Sequence, residues 1–194
     1  MLTCILLNVN CMWSASTTYT WTCASGDQWQ FSSNSASPGN NSGSATLNNV
    51  SWSNDRGTVL YLGYLNESVQ LGARNNVENP TLTCSAFSTY TITNVSVKAS
   101  SYGGAHKVTI SVGGSVVKSA TATDSPTSSP TAISTGSISK TGNVVISFSN
   151  GSRALYLQEI SITYTSGGST KTLHFLTHKS ACSFFHNLSF FESI

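Results

Sequence analysis

Residues 90–117 read YTITNVSVKASSYGGAHKVTISVGGSVV. Val95, Val97 and Ala99 alternate with polar residues. The alternation resumes at Val108, Ile110 and Val112. A period of two is what a strand shows when one face is buried and the other meets water. Gly103-Gly104 and Gly113-Gly114 supply the positive φ of tight turns. The stretch therefore predicts a β-meander: two good strands and a weaker third at Ser115–Ala120. It points to an antiparallel β-sandwich.

A local echo of this stretch closes the domain. Tyr90-x-Ile92-x-x-Val95-Ser-Val97-x-Ala99 matches Leu155-x-Leu157-x-x-Ile160-Ser-Ile162-x-Tyr164. In both, the apolar parity slips by one residue between the third and sixth positions. A regular strand would turn half of its hydrophobic residues to water at such a slip. A β-bulge or a corner returns them to the core. The echo is too short to be a tandem repeat.

Working outward, Tyr19, Trp21 and Cys23 alternate, as do Trp29 and Phe31. Residues 32–44 (SSNSASPGNNSGS) read as a long loop. Ala45–Trp52 reads as a strand, and Val59–Leu65 as a central strand apolar on both faces. Val69, Leu71 and Ala73 share one face, with Gln70, Gly72 and Arg74 on the other. Leu82, Cys84 and Ala86 form a short strand. Residues 121–135 read as a Ser/Thr/Pro connector, and Val144, Ile146 and Phe148 as another strand. The expected core includes Val95, Val97, Val108, Ile110, Val112, Val144, Ile146, Phe148, Ile160 and Ile162. Trp21 and Trp52 are expected there too.

The composition bounds the function. Charged residues make up 8% of the 194, and the net charge is +2, so polarity is carried by Ser, Thr, Asn and Gly. This mixture suits a secreted, extracellular or cell-surface module. No basic cluster favours nucleic acid. No apolar run is long enough for a transmembrane helix. Residues 1–16 combine a short apolar run with Ser14-Ala15-Ser16, which reads as a truncated signal peptide. Residues 17–165 read as a monomeric β-sandwich module, and 166–194 as a Phe-rich tail whose removal should leave a cooperatively folding domain.

Of the five cysteines, Cys23 and Cys84 fall within the module. They form a disulfide in an oxidising compartment, or they are two separate buried thiols. In the tail, His174, His178, Cys182 and His186 recur every fourth residue. A helix drifts about 40° over four residues, so the four cannot share one metal without distortion. No metal or cofactor is expected. Asn49, Asn66, Asn94 and Asn150 each open a glycosylation pattern, which chance explains in a chain this rich in Asn and Ser.

No catalytic constellation stands out. The carboxylates Asp27, Asp55, Glu67, Glu78, Asp124, Glu159 and Glu192 show no pairing that marks a glycoside hydrolase. There is no nucleophile elbow and no phosphate-cradling loop. Three loops combine aromatic, amide and cationic groups: 25–29, 71–76 and 100–106. From them, Tyr102, Trp29, Arg74, Asn75 and Asn76, together with Gln70, are the candidate ligand-binding residues. A ring stacks on a sugar face while amides and Arg reach the hydroxyls.

The segments VQLGARNN, ITNVSVKASSYGGAHKVTISVGG and SRALYLQEISITYTSG resemble an accessory β-sandwich module of secreted and surface proteins of gut Firmicutes. The resemblance spans about residues 17–167. It implies a jelly-roll-like sandwich with a binding or spacer role, and it transfers no catalytic residue. An immunoglobulin-like sandwich is the alternative, on the order Cys23, Trp52, Cys84.

Three functions follow. The first is non-catalytic binding of a glycan or cell-surface component, the second a spacer or adhesin repeat, the third an unrecognised hydrolase. Exposed aromatic rows favour the first. A sheet face of Ser and Thr alone favours the second, and a cleft with two carboxylates the third.

Overall fold

A computed structural model describes residues 9–12, 15–23, 43–55, 68–72, 79–101, 103, 106–123, 129–149, 153–166 and 170–173. The strands, in order, are β1 (Val9–Met12), β2 (Ser16–Thr22), β3 (Gly43–Leu47), β4 (Val50–Asn54), β5 (Val69–Leu71), β6 (Thr81–Cys84) and β7 (Thr91–Ser101). They continue with β8 (His106–Val112), β9 (Ser115–Ala122), β10 (Thr131–Ser134), β11 (Val144–Ser149), β12 (Leu155–Thr165) and β13 (Thr170–Leu173).

The chain divides into two units, residues 14–168 and the two terminal segments. In the terminal unit, β1 and β13 form an antiparallel pair, with Val9 opposite Leu173.

The larger unit is a two-sheet antiparallel sandwich. One sheet runs β10-β7-β12-β2, with β5 also paired to β12. The other runs β3-β4-β6-β11-β8-β9. Strands β5 to β12 alone give the orders β10-β7-β12-β5 and β6-β11-β8-β9. Eight strands that alternate between two sheets in this way make a jelly roll. β2, β3 and β4 extend it. This topology is not the immunoglobulin one.

The two parity slips are bulges in a single ladder. Leu157 pairs with Ala99 and Glu159 with Lys98, so Gln158 is skipped on β12. Thr163 pairs with Asn94 and Tyr164 with Ile92, so Thr93 is skipped on β7. Inward-facing residues on both sides of each slip stay buried. All ten of the expected core residues are at most 3% exposed, and Trp21 and Trp52 are buried with them. Each such aliphatic side chain contributes roughly 1.5–3 kcal/mol relative to exposure.

One polar group crosses the core between the sheets. The Tyr19 hydroxyl on β2 donates to the Leu47 carbonyl at 2.7 Å and accepts from Trp52 Nε1 at 3.2 Å. Burial pushes the phenol up to about 12, against the opposing pull of the Trp52 hydrogen bond, with the Cys84 thiol adding to the rise.

Two readings change. Residues 45–52 are not one strand but a hairpin, because Asn48 and Asn49 adopt φ of 44° and 61°. Asn tolerates this left-handed region, which suits a two-residue hairpin turn. Part of the 121–135 connector is the edge strand β10. Of the two alternatives for Cys23 and Cys84, the structure has two buried thiols, not joined to each other. Cys23 follows β2 towards the middle of β12, whereas Cys84 closes β6 in the opposite sheet, beside Val144. The expected strands at 29–31 and 59–65 and the His/Cys series lie outside the described residues.

Candidate functional site

Strand direction gathers most of the long connections at one end of the sandwich. β2, β5 and β7 all run antiparallel to β12, so their C-terminal ends point the same way. Leu71 on β5 and Ser101 on β7 both pair with Leu155, from opposite edges of β12. The backbone N–H of Cys23, just past β2, donates to the Gln158 carbonyl at 2.8 Å. The three loops singled out in the sequence therefore have stems at, or pointing to, the same end.

Buried polar side chains collect there as well. Among the described residues, the buried Asn54, Ser100, Ser101 and His106 lie there, while the buried Ser68 sits towards the middle of β12. Ser100 and Ser101 close β7, His106 opens β8, Asn54 closes β4, and Ser68 precedes β5. Buried polar groups are normally hydrogen-bonded, so this end has traded apolar packing for polar contacts.

Of the candidate residues, Gln70 is described. Tyr102, Trp29, Arg74, Asn75 and Asn76 lie outside the described residues. Gln70 is half-buried, and its Nε2 donates to the Gly72 carbonyl at 2.9 Å, at the start of the 73–78 connection. Directly opposite it on β12 stands Tyr156, also half-buried. Sequence reasoning passed over this tyrosine. The available signal was its phase: it alternates with the inward Leu155 and Leu157 and so belongs to the outer face.

The sheet faces themselves are hydroxyl-covered. Thr81, Ser147, Thr109 and Ser119 form a row across β6, β11, β8 and β9. Ser134, Ser96, Ser161 and Thr20 form another across β10, β7, β12 and β2. Some neighbours within the rows are joined by side-chain hydrogen bonds, Thr109 to Ser119 at 3.0 Å and Thr20 to Ser161 at 3.5 Å. Both described carboxylates are engaged. Asp55 Oδ1 accepts from the Thr81 N–H at 2.9 Å, and Glu159 pairs with Lys98 at 2.8 Å.

No protein-family model matches the chain, and no curated protein matches it. Among solved structures, it is similar to a carbohydrate-binding module, CBM36, in complex with calcium and xylotriose. The identity is 24% and the TM-score 0.36, over 48% of this chain and 78% of that one.

Proposed function

We propose that the protein is a non-catalytic saccharide-binding module that reads its ligand at the loop-bearing end. The observation that carries this is the shared register of Leu71 and Ser101 on Leu155. It sets two described strand ends, Leu71 before the segment with Arg74, Asn75 and Asn76, and Ser101 before Tyr102, on either side of a single strand. Tyr156 and Gln70 lie at the base of that arrangement. Rings that stack on a sugar and amides that reach its hydroxyls are the pair of chemistries such a ligand needs. The hydroxyl rows argue against a flat sheet-face platform, because a hydroxyl surface exchanges bonds with water at little net gain.

The test is a glycan-array screen of the whole chain, followed by calorimetry with the best hit. Tyr102→Ala and Arg74→Ala should weaken binding about tenfold or more and leave the melting temperature nearly unchanged. Equal losses of affinity and stability would make these residues structural.

The hydroxyl rows favour a second reading, a spacer that binds no small ligand. A blank array, with the fold intact by near-UV circular dichroism, would decide for it.

A further inference from the structure

The opposite end of the sandwich carries an open cleft of about 270 Å³. It is lined by Val112, Gly113 and Lys140 and by four hydroxyl-bearing residues, Thr91, Ser115, Ser139 and Thr141. The β8–β9 turn forms one wall and the β10–β11 connection the other.

The walls are held by backbone contacts. Gly113 and Gly142 approach so closely that a Cβ on Gly142 would lie 2.6 Å from the Gly113 Cα. The Gly113 N–H donates to the Asn143 carbonyl, and the Gly142 N–H to the Ser88 carbonyl, each at 3.0 Å. Lys140 is fastened on both sides: its carbonyl accepts from the Ile92 N–H at 2.7 Å, and its N–H donates to the Ile92 carbonyl at 3.2 Å. A lysine is thus fixed at its backbone, with an exposed side chain at the rim. Among the described residues its ammonium meets no carboxylate, since the ion pair there is Lys98–Glu159.

Charge separates between the two ends. The connections leaving the loop end hold five carboxylates, Asp27, Asp55, Glu67, Glu78 and Asp124, against three arginines, Arg56, Arg74 and Arg153. Those at the cleft end, residues 48–49, 85–90, 113–114 and 135–143, hold no carboxylate and one cation, Lys140. An ammonium in a setting free of negative charge attracts an anion. The volume lies just below the ~300–1,000 Å³ of drug-sized pockets, which suits a single-ring ligand. Four hydroxyls, each both donor and acceptor, match the hydroxyls of such a ring.

We propose that this cleft binds an acidic sugar, one bearing a carboxylate or a sulfate. Lys140 takes the anionic group, and the Ser and Thr side chains take ring hydroxyls. The site is separate from the loop-end reading and does not depend on it.

The whole chain is titrated by calorimetry with galacturonic acid oligomers, with a sulfated galactose oligomer, and with the neutral galactose oligomer. Binding of at least one acidic probe, absent for the neutral one and weakened by salt, is the expected result. Which acidic probe binds identifies the anionic group. Lys140→Gln should lower that affinity about tenfold or more, as loss of a charge-assisted hydrogen bond does. Lys140→Arg should largely retain it, and Tyr102→Ala should leave it unchanged. No binding of either acidic probe, or a Lys140→Gln variant that binds like the wild type, would overturn the proposal.

Discussion

Thr93 and Gln158 are skipped in the same ladder, one on each strand, and each hands its carbonyl to a third segment. Gln158 O accepts from the Cys23 N–H at 2.8 Å, and Thr93 O from the Ile138 N–H at 2.9 Å. The two bulges let β7 and β12 change the face they bury without leaving a backbone carbonyl unpaired.

Deleting Gln158 should cost little, because it brings Leu155, Leu157 and the two isoleucines of β12 into strict alternation and the ladder with β7 closes without the bulge. The loss is the Cys23 N–H bond to the Gln158 carbonyl, about 1 kcal/mol. Deleting Ser161 instead sets the isoleucine that follows out of phase with Ile160 and should cost clearly more, from the exposure of a core side chain. Urea denaturation of the two variants checks this. Similar stabilities would show that alternation along β12 does not set its phase.

Tyr19→Phe leaves Trp52 Nε1 and the Leu47 carbonyl without the hydroxyl they share. A loss of about 1–3 kcal/mol is expected near neutral pH. The pH dependence has a definite sign. The folded phenol is held up to about 12 from its ordinary 10.0, so the neutral form is favoured in the fold. The stability this contributes is complete below pH 10 and is lost as pH rises towards 12. Wild type and Tyr19→Phe should therefore converge in stability over that interval. Parallel profiles would refute the burial of the hydroxyl.

Gly113→Ala and Gly114→Ala separate crowding from backbone strain. Both glycines have positive φ, 58° and 78°. A Cβ at Gly113 would collide with the Thr141 carbonyl oxygen, while one at Gly114 meets nothing within 4 Å. The Gly114 variant should lose about 1–2 kcal/mol from left-handed strain alone. The Gly113 variant should lose clearly more. Equal melting temperatures would mean that the β10–β11 connection simply moves aside.

The two core thiols should behave as buried hydrophobes. Burial pushes the Cys84 thiol up, against hydrogen bonds from the backbone of Ala86 and Phe87. Reductant should leave the melting temperature unchanged. A thiol reagent should label Cys23 and Cys84 only under denaturing conditions, as read by peptide mass spectrometry. A drop in melting temperature on reduction, with Cys23 linked to Cys84 in the peptide map, would restore the disulfide.

A chain cut to residues 14–168 should unfold in one cooperative transition, because both sheets of the sandwich fall within that unit. Loss of the sigmoidal denaturation curve would mean that the terminal segments are needed for the sandwich to fold.

The central strands were legible because, away from the loop end, their inward residues are apolar and their outward ones mostly Ser, Thr or Asn. The same alternation made the slips at Thr93 and Gln158 visible. β10 was not legible: Thr131–Ser134 carries one buried apolar residue, Ile133, within a Ser/Thr/Pro stretch. The β3–β4 hairpin hid because Asn48-Asn49 lacks the glycine that usually marks such turns. Its trace was the odd spacing of Leu47 and Val50. At the candidate site, Gln70 and Tyr156 meet only through strand pairing between distant segments, and no local pattern announces that. The Lys140 cleft is likewise a product of two glycine backbones meeting from separate turns.

The order in which the strands are made follows from one of these pairings. Among the described residues β2 has a single neighbour in its sheet, β12, with Trp21 set opposite Ile160. During synthesis the partner emerges roughly 140 residues after Trp21, a wait of about 7–30 s at ordinary elongation rates. Until then an aromatic-rich strand stands on the growing chain with its ladder unmade. Closure of that sheet is a late, long-range event, the kind that makes folding slow and nascent chains sticky. A ribosome-stalled series that ends just before and just after β12 should change abruptly from chaperone-bound and protease-sensitive to compact.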